Sequence, residues 1–173
     1  MNSIKRLSYS ALFLALCIVL PFLTGQLQGI GQMLCPMHIP VLLCGFICGW
    51  QWGAAVGFIA PFLRFLIFSM PPIFPMGTSM AFELATYGLV AGILYAVLPK
   101  KSVYTYASLL SAMIAGRVVF GVARLICAGI DGTEFTFAAF VSEAITAAIP
   151  GIICQVILIP LIITTLREAN AIE

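Results

Sequence analysis

Long apolar runs broken by short polar or glycine-rich stretches make up most of this chain. They lie at 7–24, 38–49, 53–69, 77–98, 103–129 and 138–166. An apolar helix of about 20 residues crosses a hydrocarbon core about 30 Å thick. The pattern therefore predicts one all-α integral membrane domain over residues 1–173, with six transmembrane helices. The second and third runs are parted only by Gly49-Trp50-Gln51-Trp52-Gly53, which reads as a tight turn at the membrane surface. Glycine at both ends permits the turn, and tryptophan suits the interface. The first run follows Lys5 and Arg6 as a signal peptide would, but no A-x-A-like site follows it, so it reads as a retained helix.

The basic positions orient these helices. With six spans, Lys5/Arg6, Lys100/Lys101 and Arg167 all fall on one side, while the opposite connections at 25–37, 70–76 and 130–137 carry no Lys or Arg. Lys and Arg concentrate in cytoplasmic loops, which predicts that both the N- and C-termini are cytoplasmic. Reading 38–69 as one helix would carry Lys100 and Lys101 outside. The outer connections are chemically distinct. The first, 25–38, is rich in Gly and Gln and includes Gln32, and the second, 69–75, holds Pro71, Pro72 and Pro75. Stiff apolar loops facing water suit lids over a pocket.

Composition agrees with a lipid-covered exterior. Of the 173 residues 62% are hydrophobic and 8% charged, whereas a soluble domain carries about a quarter charged residues. A net charge of +2 does not suit nucleic acid. The six cysteines (Cys17, Cys35, Cys44, Cys48, Cys127, Cys154) lie mostly within apolar runs and read as buried thiols. No His/Cys spacing fits a zinc site, so neither metal nor cofactor is implied.

Candidate chemistry comes from the exceptions to the apolar pattern. Arg64, Glu83, Arg117, Arg124 and Glu143 lie in or at the ends of spans, where a charge costs several kcal/mol unless paired or hydrated, roughly 3 kcal/mol on insertion scales. At about 1.5 Å per residue, Glu83 lies roughly 10 Å below the outer surface and Arg117 roughly 20 Å above the inner one, so the two can pair. Arg124 is seven residues further on the same face, and Arg64 and Glu143 are also in the outer half. With His38 and Gln32 at the rim, these residues outline a polar pocket open to the outside. A purely structural ion-pair network is the competing reading. Small residues form a second pattern. Ala11 and Ala15 share a helix face, and Gly45, Gly49, Gly53 and Gly57 repeat the same spacing, which suits close helix approach either within the protein or with a partner.

Taken together, the size, the six spans with inside termini, Ala11-x-x-x-Ala15, the long first outer loop and Gly49-x-x-x-Gly53-x-x-x-Gly57 resemble the substrate-binding (S) components of energy-coupling factor (ECF) vitamin transporters. Many members of that family have Gly-Pro where this chain has Gly49-Trp50. The resemblance implies high-affinity capture of a vitamin or related micronutrient near the outer face, under outer loops. It also implies docking through the span-one alanines, here Ala11 and Ala15, onto a transmembrane T subunit driven by two ATPase subunits in a prokaryotic cell membrane. The chain has no G-x-x-x-x-G-K-[ST] phosphate loop of its own. Aromatic residues (Phe62, Phe65, Phe68, Phe74, Phe82, Tyr87) beside the outer arginines favour a carboxylate-bearing vitamin such as pantothenate; riboflavin, biotin, folate and cobalamin stay open. Two other classes compete. An intramembrane hydrolase lacks a G-x-S-x-G or H-E-x-x-H setting. A proton-coupled secondary transporter would use Glu83 and Arg117 as a relay, but the two halves show no repeat.

Overall fold

The computed structural model describes residues 2–25, 35–132, 135–144 and 146–169. Among these residues seven α-helices follow in order: α1 Ser3–Gly25, α2 His38–Cys48, α3 Trp50–Phe68, α4 Thr78–Val97, α5 Ser102–Asp131, α6 Phe137–Ala144 and α7 Ile149–Glu168. No strand occurs among the described residues. Between its end turns a helix satisfies its backbone N–H and C=O groups internally, which lipid requires of any spanning segment. Five of them (α1, α3, α4 with the turn before it, α5 and α7) are long and apolar enough to cross a membrane. Their outward faces carry Leu66, Val97, Ile114, Ile130 and Ile157, all exposed. This is an all-α membrane protein.

α2 departs from the expected pattern of equal spans. Its 11 residues cover only about 16 Å at 1.5 Å per residue, too little to cross alone. His38, Pro40 to Gly45, Phe46 and Cys48 are all buried, because α2 lies among α1, α3, α4 and α7 rather than against lipid. A helix that is apolar all round belongs inside.

The turn after α2 is tighter than the sequence suggests. Gly49 alone makes it, at φ 98° and ψ 167°, and Trp50 to Gly53 already form the first turn of α3. That backbone conformation is open to glycine and costly for other residues. It lets α3 fold straight back along α2, and both then press on α4. A Cβ on Gly45 would sit 2.5 Å from the Gly88 carbonyl oxygen. One on Gly53 would meet Gly45, one on Gly57 the Leu84 backbone, and one on Gly92 the Trp50 backbone. The Gly45/Gly53/Gly57 repeat is thus an internal seam joining α2, α3 and α4.

The last apolar run, 138–166, is divided. α6 ends at Ala144, a short tight turn spans Thr146–Ala148, and α7 starts at Ile149 with Pro150 in its first turn. Proline has no N–H to continue a preceding helix, yet it fits the first turn of a new one. The long crossing helix therefore begins only at Ile149.

Arg6, Lys100 and Arg167 gather at one end of the bundle. Arg167 Nη1 donates to the Lys100 carbonyl at 2.7 Å, and its Nη2 donates to Tyr95 Oη at 3.0 Å. Lys100 Nζ lies 3.7 Å over the Tyr95 ring. A Cβ on Gly49, at the α2–α3 turn, would be 4.0 Å from Arg6 Nη1. At the opposite end the proline-rich segment is tied down. Thr78 and Ser79 hydroxyls donate to the Pro75 carbonyl at 2.9 and 2.8 Å, and Thr78 Oγ1 lies 3.6 Å from Cys127 Sγ of α5.

Candidate functional site

Glu83 and Tyr87 stand four residues apart on α4 and so share a face. That face points into the bundle: Glu83 is 1% exposed and Tyr87 wholly buried. Gly116 of α5 makes room, since a Cβ there would run into the Tyr87 ring. With the ring seated, the next residue, Arg117, reaches across. Arg117 Nη1 lies 2.8 Å from Glu83 Oε1, and Tyr87 Oη donates to the same oxygen at 3.1 Å. The ion pair that the estimated depths allow is present.

His38 enters from the third side as the first residue of α2. Its N–H bonds the Cys35 carbonyl at 3.0 Å, and its ring tilts over Tyr87 with centroids 5.2 Å apart. Nε2 stops 3.6 Å from Glu83 Oε1, beyond a good hydrogen bond. His38 is 4% exposed, and among the described residues neither Nδ1 nor Nε2 has a hydrogen-bond partner; Arg117 Nε also lacks one there. Buried polar atoms are nearly always satisfied, so three orphans in one cluster need an explanation.

Cys35, in the connection ahead of α2, holds a left-handed backbone at φ 46°, uncommon for a residue with a Cβ. Its side chain lies within electrostatic reach of Arg117. Burial pushes the Cys35 thiol up from its ordinary value, against the pull of the Arg117 charge, so it meets Arg117 as a neutral thiol.

The remaining predicted residues divide. Arg64, near the end of α3, donates from Nη1 to Met37 Sδ at 3.3 Å, and a thioether is a weak acceptor. No carboxylate partners Arg64 among the described residues. The guanidinium of Arg124 lies 5.0 Å from the Phe135 ring centroid. Gln32 and the side chain of Glu143 lie outside the described part of the structure. Ala11 and Ala15 are exposed on α1, whereas Phe13 and Cys17 turn inward. Among the expected aromatic walls only Tyr87 is buried within this cluster. Phe82 faces outward against Phe58, at 5.8 Å between centroids, and Phe68 stacks on Phe22 at the same separation. Tyr87 as a partner of Glu83, and Cys35 as a partner of Arg117, are absent from the predicted set. The four-residue spacing of Glu83 and Tyr87 is the signal for the first; nothing in the sequence marks the second.

All six cysteines are free thiols, four of them buried. Among the described residues no cluster of three His, Cys, Asp or Glu side chains could hold a metal ion. Geometrically, the cluster is a neutral ion pair toward one end of the bundle, beside nitrogens that have no hydrogen-bond partner among the described residues.

No curated protein and no solved structure matches the chain. The sequence model of the family described as "ECF transporter, substrate-specific component" matches residues 5–163. With nearly the whole chain covered, this apolar helical bundle with a buried polar cluster at one end belongs to that family.

Proposed function

We propose that this chain is the high-affinity capture subunit of an ECF-type importer for a vitamin or related micronutrient in a prokaryotic cell membrane. Substrate-specific components of this family are transporter parts, not enzymes, and they work with a T subunit and ATPases. The observation that carries the reading is the buried His38–Glu83–Tyr87–Arg117 cluster with its unpartnered nitrogens. It lies at the end of the bundle opposite Lys100 and Arg167. By the distribution of positive charge the basic end is cytoplasmic. The cluster then lies toward the outer face, six helical segments alternate across the bilayer, and both termini are inside. Ala11 and Ala15, exposed on α1, form the contact with the T subunit. Pantothenate is the favoured solute. Its carboxylate has Arg64 as the supporting cation, because Arg117 is already engaged by Glu83.

Reconstitution in liposomes tests this. The chain together with a T subunit and two ATPases should take up labelled vitamin only when ATP is supplied on the cytoplasmic side. Uptake by the chain alone under a proton gradient would instead establish the self-sufficient secondary transporter.

A further inference from the structure

We propose that the basic end of the bundle carries a headgroup site for a phosphate-bearing anionic lipid, held by Arg167 of α7 and Lys100 of the α4–α5 connection. Both cations are fixed by neutral groups. Arg167 Nη1 donates to the Lys100 carbonyl at 2.7 Å and Nη2 to Tyr95 Oη at 3.0 Å, while Lys100 Nζ donates to the Tyr95 carbonyl at 2.8 Å. The two also lie over one ring, Lys100 Nζ at 3.7 Å and Arg167 Cζ at 5.9 Å from the Tyr95 centroid. They are therefore no more than about 10 Å apart, close to one Debye length, so salt alone does not remove their repulsion. Among the described residues no carboxylate pairs with Arg167, and the neighbouring acid, Glu168, is exposed. Arg167 Nε is buried without a partner. Holding like charges side by side costs energy that an anion offsets, and a phosphate has enough oxygens to accept from both.

Depth selects a lipid over a solute in water. The Trp50 backbone lies against Gly92 of α4, where a Cβ would be 2.5 Å away, and the exposed Trp50 side chain suits the membrane interface. Tyr95 lies about 4.5 Å further along the helix, and Lys100 follows its end at Val97. Tyr104 and Tyr106, both exposed, stand in the first turns of α5 at the same end. The cations thus sit at headgroup level, between two spanning helices and beside a third, where basic residues recognise lipid phosphates. This site goes beyond solute capture and needs only that the helices cross a bilayer.

The full chain, purified in detergent and delipidated, is titrated with dioleoyl-phosphatidylglycerol or dioleoyl-phosphatidylcholine and read by native mass spectrometry. The first phosphatidylglycerol should bind about tenfold or more tighter than phosphatidylcholine, the scale of a charge-assisted hydrogen bond. Arg167→Gln and Lys100→Gln should each remove most of that preference. Lys5→Gln removes the same charge from α1, which packs on α2 and α3, and should leave the preference within about twofold. If Arg167→Gln does not fold, Lys100→Gln decides, because glutamine can still donate to the Tyr95 carbonyl. Inorganic phosphate or glycerol phosphate in large excess should not displace the lipid. Displacement by either would assign the site to a water-soluble phosphate and overturn the lipid reading. Equal binding of the two lipids would overturn it too, as would full preference in folded Arg167→Gln or Lys100→Gln. Equal loss in Lys5→Gln would replace the site with the general field of the basic end.

Discussion

Arg117 of α5 and Glu83 of α4 form a buried ion pair, Nη1 to Oε1 at 2.8 Å, at the centre of the polar cluster. Because each neutralises the other, neither acts as an independent charge in the pocket. Removing one partner strands the other, at a cost of about 3–5 kcal/mol, whereas removing both leaves no buried charge. Arg117→Met should therefore lower the melting temperature of the detergent-purified protein strongly. The double variant Arg117→Met/Glu83→Gln should recover most of it. A double variant no more stable than the single one would mean that the two residues contribute independently.

Arg64 gives the opposite pattern. Its hydrogen bond is to a thioether, so Arg64→Met should leave the melting temperature nearly unchanged. If a solute carboxylate sits there, the same change should weaken pantothenate binding by roughly 1.5–3 kcal/mol, the scale of a charged hydrogen bond. Calorimetric titration of wild type and variant with pantothenate checks it. Equal affinities would remove Arg64 from the site.

The glycine seam predicts a position-specific stability series. At Gly88 a Cβ would collide with the Gly53 backbone, which cannot move aside as a side chain could. Gly88→Ala should cost about 1–3 kcal/mol by overpacking. At Gly129, an exposed site on α5, a Cβ meets nothing within 4 Å, so alanine should stabilise by about 0.5–1 kcal/mol through helix propensity. Thermal unfolding of both variants reads the difference directly. Equal effects would mean that α2, α3 and α4 do not approach as closely as described.

Ala11 and Ala15 project from the bundle, so tryptophan there has space within the isolated protein. Ala11→Trp or Ala15→Trp should leave folding and solute binding intact and abolish ATP-driven uptake by blocking close helix approach. Binding lost together with uptake would place the alanines in internal packing instead.

Topology follows from the two ends of the molecule. Cysteine introduced at position 100 should react with a membrane-impermeant reagent only from the cytoplasmic side, and cysteine at positions 28 and 72 only from outside. External reaction at position 100 would reverse the bundle and put the His38 cluster at the wrong face.

The amino-acid sequence by itself determined the solvent and the grouping of charges. Hydropathy sums the transfer preference of each residue, a local quantity, so the apolar runs are legible without knowing what packs on what. The placement of Lys100 and Arg167 at one end and of Glu83 and Arg117 at a common depth followed from counting residues along helices. Rotation about the helix axes and partner choice depended on contacts between helices. Only the tertiary structure decided that α2 is enclosed and short, that Gly45, Gly53 and Gly57 bind α4 internally, and that Phe82 turns outward. The same holds for the pairing of Glu83 with Tyr87 and Arg117 while His38 keeps two unpartnered nitrogens. Residues distant in sequence meet there because the backbone seam at Gly88 and the gap at Gly116 set how closely, and at what rotation, α4 meets its neighbours. Such complementarity belongs to pairs of surfaces, and no single segment contains it.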